Sequence, residues 1–279
     1  MKLGAYFRLM RFHKPAGTAL LWFPTAWALW VAGHHAPPVN ILIYFLLGTI
    51  IMRAAGCVVN DMADRHIDKH VSRTKNRPLT TGEVNLSESW ILLFILLCLA
   101  LWVVIQLPIL CFYYAIPALI LTLIYPFFKR FFQAPQLILG LAFSMGIPMA
   151  YASLYIAPNT SLLILFIINF LWIIAYDTMY AMADRYDDIR IGVNSTARLF
   201  GQHDLLIIGL LQVIFHGLWL VLAINGSFSI YFYVLWCLAI GILLYQQYLI
   251  YERDPARCLK AFSINSVYGL ILWLAVIYR

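Results

Sequence analysis

Apolar residues fall in nine long windows, near residues 17–33, 39–59, 89–106, 109–125, 137–156, 161–181, 204–224, 229–250 and 260–278. Each is long enough, as a helix, to cross a hydrocarbon layer of about 30 Å. A helix also satisfies its own backbone hydrogen bonds where no water is available. The pattern therefore predicts nine transmembrane helices. The first window follows basic residues as a secretory signal does, yet it contains Pro24 and three tryptophans and lacks a small-x-small cleavage site, so it reads as a span. Two polar intervals, from about His66 to Glu88 and from Tyr186 to His203, are too long to be turns. Loops of that length are usually functional, and short helices closing over a site are expected in both.

Composition agrees with this pattern. Of 279 residues 63% are hydrophobic and 11% charged, with a mean hydropathy of +0.84, far from soluble usage. The fold class is all-α, a polytopic membrane protein. Lys and Arg gather at alternate turns: Lys2, Arg8, Arg11 and Lys14, then Arg65, Lys69, Arg73, Lys75 and Arg77, then Lys129 and Arg130, then Arg185, Arg190 and Arg198, then Arg253, Arg257 and Lys260. All but two of the 19 basic residues thus share one side, which the positive-inside rule makes cytoplasmic. The N-terminus is expected inside and the C-terminus outside, with His34 and Asn159 facing out. The +7 charge reflects this topology and anionic lipid rather than nucleic acid. The five cysteines show no C-x-x-C spacing and read as packing residues.

The apolar run around Arg53 ends in Asn60, Asp61, Asp64 and Asp68. At about 100° per residue these five side chains project within roughly a quarter-turn. A second acidic face follows at Asp177, Asp184 and Asp188. A single acid at a span end is commonly a solvated terminus. Two helically aligned sets are poorly explained that way, because carboxylates oppose the dipole at a helix C-terminus. A hard divalent cation with oxygen ligands explains them better. Arg53 lies about two turns deeper, where an arginine normally meets a cavity or an anion; an ion pair with Asp177 is the structural alternative. Tyrosines such as Tyr125, Tyr176 and Tyr180 are candidates to line a cavity for a cationic intermediate, although aromatic residues in spans more often serve packing. His66 and His70 read as solvated loop residues.

The chain resembles itself at an offset of about 120 residues, with Ala63-Asp64-Arg65 against Ala183-Asp184-Arg185 and Asp68 against Asp188. One membrane-embedded domain over 1–279, with two related halves bearing acidic motifs at 60–68 and 177–188, is expected. Such repeats also occur in transporters. A cation-coupled transporter would place its ligands near the bilayer midplane, whereas most of these acids cluster at span ends. Two carboxylate ladders, a basic rim and an apolar interior together suit a diphosphate attached to a long hydrocarbon.

These residues resemble a known family. Asn60-Asp61-x-x-Asp64-x-x-x-Asp68 and Tyr176-Asp177-x-x-Tyr180-Ala181-x-x-Asp184-x-x-Asp187-Asp188 are similar to the paired aspartate motifs of the UbiA-type intramembrane prenyltransferases. Leu21-Trp22-Phe23-Pro24-Thr25, Asn76-Arg77-Pro78-Leu79, Tyr125-Pro126-Phe127-x-Lys129-Arg130 and Ser195-Thr196-Ala197-x-Leu199-Phe200-Gly201 resemble the subgroup that prenylates 4-hydroxybenzoate in bacterial ubiquinone synthesis. The resemblance covers essentially the whole chain. It implies nine helices around a central cavity open to the bilayer, a cytoplasmic cap, and a place in the bacterial inner membrane.

It further implies that Asp61, Asp64, Asp68, Asp184 and Asp188, with Asn60, hold Mg2+ and the diphosphate of a polyprenyl diphosphate. Lys129, with Arg65 or Arg77, would neutralise phosphate oxygens, and Tyr180 would face the substrate. Asp177 would take the ring proton. Arg53 and Arg130 are the two candidates to grip the acceptor carboxylate; Arg130, to which the resemblance points, is favoured, leaving Arg53 to hold Asp177 or the site's polarity. Other aromatic acceptors, or haem, remain alternatives within the family.

Overall fold

The computed structural model describes residues 2–33 and 36–279, and among them there are helices and turns but no strand. The helices are α1 (Lys2–Leu9), α2 (Pro15–Ala32), α3 (Val39–Asp64), α4 (Pro78–Thr81), α5 (Leu86–Val104), α6 (Ile109–Phe128), α7 (Pro135–Ser144), α8 (Gly146–Ser153), α9 (Thr160–Ile191), α10 (Thr196–Phe200), α11 (Asp204–Asn225), α12 (Ile230–Ile250) and α13 (Pro255–Ile277). Eight segments are long and apolar enough to cross a membrane, with α7 and α8 forming one and the stretch from α10 to α11 another. The ninth window is α2, 18 residues long and largely buried, whose tryptophans and Pro24 lower its hydropathy. Eight of the nine expected windows therefore fall on these segments, and the first falls on α2. His34 lies outside the described residues.

Local chemistry sets the helix ends. Asn85 accepts from the Glu88 amide while Glu88 accepts from the Asn85 amide, a capping box that starts α5. Asn159 and Asp254 cap α9 and α13. At the other end of α9, Gly192 takes φ 75°, a left-handed turn that a Cβ would oppose.

The fold is asymmetric. An aromatic core of Trp27, Trp172, Trp219, Phe232 and Tyr268 lies among α2, α9, α11, α12 and α13. Trp27 stacks obliquely on Trp172 at 5.0 Å, donates to the Gly269 carbonyl at 3.1 Å, and Trp172 donates to Asn265 at 2.8 Å. On the opposite flank α6 buries only Cys111 and Pro126. Helices α5 and α6 are a thin wall, and a cavity lies behind them.

Both long loops carry the expected short helices: a 3-10 turn at Asp68–His70 and α4 in the first, α10 and a 3-10 turn at Gly201–His203 in the second. They lock together at one end of the bundle. The Ser72 amide donates to Asp187 at 3.0 Å, Arg190 to the His70 carbonyl at 2.5 Å, and the Asn194 amide to the Lys129 carbonyl at 2.9 Å. Helix α1 packs on the same end through Ala5 and Leu9 against Ala54, Val58, Met62 and Leu93.

Candidate active site

A single cavity of about 1070 Å³ runs from this capped end into the bundle. Its apolar part includes Phe94, Leu97, Leu101 and Ile116. Phe94 and Leu101 are 69% and 50% exposed, and Ile116 is exposed as well. The apolar part of the cavity is therefore lined in part by accessible side chains of α5 and α6. Its other end is polar, lined by Asn60, Asp64, Asp68, Asp177, Asp184 and Asp188 together with Arg11, Lys14, Arg53, Arg73, Arg77 and Lys129.

The last turns of α3 and the 3-10 turn that follows present the first acidic set. Lys129, just past the end of α6, donates to Asp64 at 3.1 Å and to Asn60 at 3.2 Å. Burial works against its charge, and Asp64 and Tyr125 together more than offset that, holding the ammonium above its ordinary range. Arg77, at the start of α4, bridges Asp68 at 2.6 Å and Asp61 at 3.0 Å. Burial pushes the Asp68 carboxyl above the usual carboxylate range; Arg77 opposes the rise, and Asp61 and Asp64 reinforce it.

The polar extension of α9 carries the second set across the cavity. Arg73 of the first loop pairs with Asp184 through both carboxylate oxygens, its Nε lying 2.9 Å from one of them. Its guanidinium also lies over the Tyr180 ring, 4.5 Å from the centroid. A loop belonging to the first motif is thus fastened to the second, which brings the two ladders to one site.

Three expected site residues lie elsewhere. Asp61, whose side chain points about 100° away from that of Asn60, does not line the cavity and is held by Arg11 and Arg77. Arg65 donates to His66 at 3.0 Å, also outside the cavity. Arg130 is exposed and donates to the Ala63 carbonyl at 2.8 Å; the turn after α6 sends it outward while Lys129 turns in. Arg53 faces the cavity instead and, among the described residues, forms no ion pair with Asp177 or any other acid. Arg130 thus lies outside the cavity and Arg53 inside it. Tyr125, Tyr176 and Tyr180 line the cavity as expected. Arg11, Lys14 and Arg73 were not singled out; their only signal was membership in basic runs.

The donor set suits Mg2+. Asp64 Oδ1 is buried with no hydrogen-bond partner, and it belongs to a group of carboxylate and amide oxygens, the ligands a hard cation takes. Among the described residues no three acids, histidines or cysteines converge on one point. That agrees with the habit of Mg2+ of using one or two carboxylates, water and substrate phosphate rather than an all-protein cage.

The model of the UbiA prenyltransferase family matches residues 21–273. The chain belongs to this family. Its members include a 4-hydroxybenzoate octaprenyltransferase of Legionella pneumophila, 59% identical over 272 residues, which are 98% of this chain and 96% of the relative. A 4-hydroxybenzoate octaprenyltransferase of Coxiella burnetii is 45% identical over 275 residues, 98% of this chain and 95% of that one. Among solved structures, the apo form of a UbiA homolog from Aeropyrum pernix superposes with a TM-score of 0.80 at 21% identity, covering 93% of this chain and 96% of its own. A UbiA homolog from Archaeoglobus fulgidus bound to GPP and Mg2+ gives a TM-score of 0.74 at 21% identity, covering 99% and 100%. At that identity the two structures establish the family fold.

Proposed function

We propose that this chain is a 4-hydroxybenzoate polyprenyltransferase, which joins a polyprenyl group to the ring carbon ortho to the phenol and releases diphosphate. The observation that carries the reading is one cavity with both acidic motifs at its polar end and lipid-exposed apolar residues at the other. That shape fits a diphosphate with a hydrocarbon tail, and relatives at 59% and 45% identity bear the name of this activity.

In this reading Asn60, Asp64 and Asp68 on one wall and Asp184 and Asp188 on the other hold Mg2+. Bound Mg2+ supplies neutralisation of the leaving diphosphate. Lys129, Arg77 and Arg73 donate to phosphate oxygens, each leaving a carboxylate it holds in this structure. The C–O bond of the allylic diphosphate breaks with its electron pair going to oxygen. The π faces of Tyr125, Tyr176 and Tyr180 stabilise the allylic cation. The ring carbon attacks that cation, and Asp177 accepts the proton displaced from the ring. Arg53 pairs with the acceptor carboxylate, its planar fork suiting two parallel hydrogen bonds. Asp61 acts as an anchor for Arg11 and Arg77 rather than as a metal ligand.

The motif halves at 60–68 and 177–188 are read as two related parts of one domain, supported by Gly82 and Gly201, which follow α4 and α10 and both take positive φ. The capped end faces the cytoplasm of a bacterial inner membrane, as the basic residues there favour. Membranes containing the protein, given octaprenyl diphosphate, 4-hydroxybenzoate and Mg2+, should yield diphosphate and 3-polyprenyl-4-hydroxybenzoate in equal amounts. Diphosphate release without the prenylated acid would remove the acceptor assignment.

A further inference from the structure

Helix α1 ends in an unusual way. The Arg11 amide donates to the Arg8 carbonyl at 3.0 Å and the Phe12 amide to the Phe7 carbonyl at 3.3 Å, the pair of bonds that defines a Schellman motif. Its left-handed position normally belongs to glycine, because a Cβ is strained there. Here it holds Arg11, at φ 58°. The helix end gains nothing from this side chain, so its use lies where the side chain goes.

It goes into the site. The Arg11 side chain is 16% exposed, pairs with Asp61 and lines the cavity. Asp61 already receives Arg77 on the same oxygen. A guanidinium has five N–H donors, and one carboxylate oxygen shared between two arginines leaves most of them free. Three residues on, Lys14 lines the same cavity at the start of α2, and among the described residues it has no ion pair. Partial desolvation, and behind the opposing effect of Tyr180 the like charges of Arg73, Arg11 and Arg77, hold Lys14 below its ordinary range. The charge of Lys14, which none of the ion pairs of these arginines neutralises, is relieved by a polyanion in the cavity.

We propose that Arg11 and Lys14 bind the diphosphate of the prenyl donor, making the segment before the first span a wall of the active site. The assignment rests on the function proposed above. Arg11 is anchored by Asp61 and turns its remaining donors to phosphate oxygens; Lys14 adds a point charge beside it.

The left-handed turn supplies the test. Arg11→Gly places the favoured residue at the strained position and removes the side chain with its ion pair to Asp61, which keeps Arg77 as partner. Solubilised protein is melted with and without GPP and Mg2+, and initial rates are measured for both substrates. Arg11→Gly and Lys14→Gln should stay folded without ligand and lose most of the stabilisation by GPP, read as the ligand-induced rise in melting temperature of each variant. Each should raise KM for the prenyl donor roughly tenfold or more, the scale of one charge-assisted hydrogen bond, with KM for hydroxybenzoate unchanged. Arg11→Lys should recover part of the loss. Wild-type protection and wild-type donor KM in Arg11→Gly would overturn the proposal. If Arg11→Gly fails to fold, the same result in Lys14→Gln does so. Protection is read without acceptor, so wild-type protein that GPP protects but that fails to prenylate hydroxybenzoate overturns the proposed function and not this assignment.

Discussion

Replacing Arg53 by alanine should separate acceptor binding from donor binding. Arg53 projects from α3 into the cavity, and a Cβ on Gly17 of α2 would collide with its guanidinium, so the side chain is confined rather than free to snorkel. Among the described residues it has no carboxylate partner. A benzoate entering an apolar cavity brings the charge that is missing. Truncating one partner of a buried charge-assisted pair costs about 2–5 kcal/mol, which corresponds to a rise in acceptor KM of roughly 30-fold at the lower bound and above a thousandfold at the upper. Initial-rate assays in membranes, varying hydroxybenzoate at saturating donor and then the reverse, read the two constants separately. Arg53→Ala should raise the acceptor KM and spare that of the donor, with Arg53→Lys in between. Arg130→Ala should change neither by more than about twofold, since an exposed arginine bonded to a carbonyl contributes little. An unchanged acceptor KM in Arg53→Ala beside a raised one in Arg130→Ala would refute the reasoning.

Asp64→Asn and Asp184→Asn should each lower turnover by at least about 100-fold while leaving the protein folded, because what is lost is charge at the leaving group. EDTA should stop the wild type and Mg2+ restore it; full activity without divalent metal would end the proposed mechanism. Asp61→Asn should loosen α1, seen as faster proteolysis at the N-terminus, while lowering turnover less than Asp64→Asn does, since Asp61 does not line the cavity. Single cysteines at 73 and 190 should react with a membrane-impermeant reagent from the cytoplasmic side only, and one at 159 from the opposite side.

Most of the architecture was legible because the apolar windows are long and nearly uninterrupted, and every one of them became a helix or, at α7 and α8, a helix pair. The ladders were legible because α3 and α9 continue as helices past the apolar region, so that helical spacing still governs Asp64, Asp184 and Asp188; Asp68, expected on the same helix face, lies past the end of α3 in the 3-10 turn at Asp68–His70 and reaches the cavity from there. Asp61 was misjudged because a quarter-turn is wide enough for its far edge to face a neighbouring helix, and the eight-residue α1 that receives it has too short an apolar pattern to be read. Lys129 and Arg130 are adjacent in sequence, and no pattern states which of them a turn will point inward. Arg11 was hidden for a different reason: its backbone conformation is one that arginine seldom adopts, so propensity argues against the turn that is there.

The accessible apolar part of the cavity has a kinetic corollary. A donor whose tail reaches it from the bilayer remains a component of the lipid phase up to the moment of reaction, and the prenylated product returns to that phase. The concentration such a catalyst senses is a mole fraction in two dimensions, whereas the acceptor and the released diphosphate are counted per volume of water. Diluting the membrane with inert lipid at constant total substrate would then slow the reaction with respect to one substrate and leave its dependence on the other untouched.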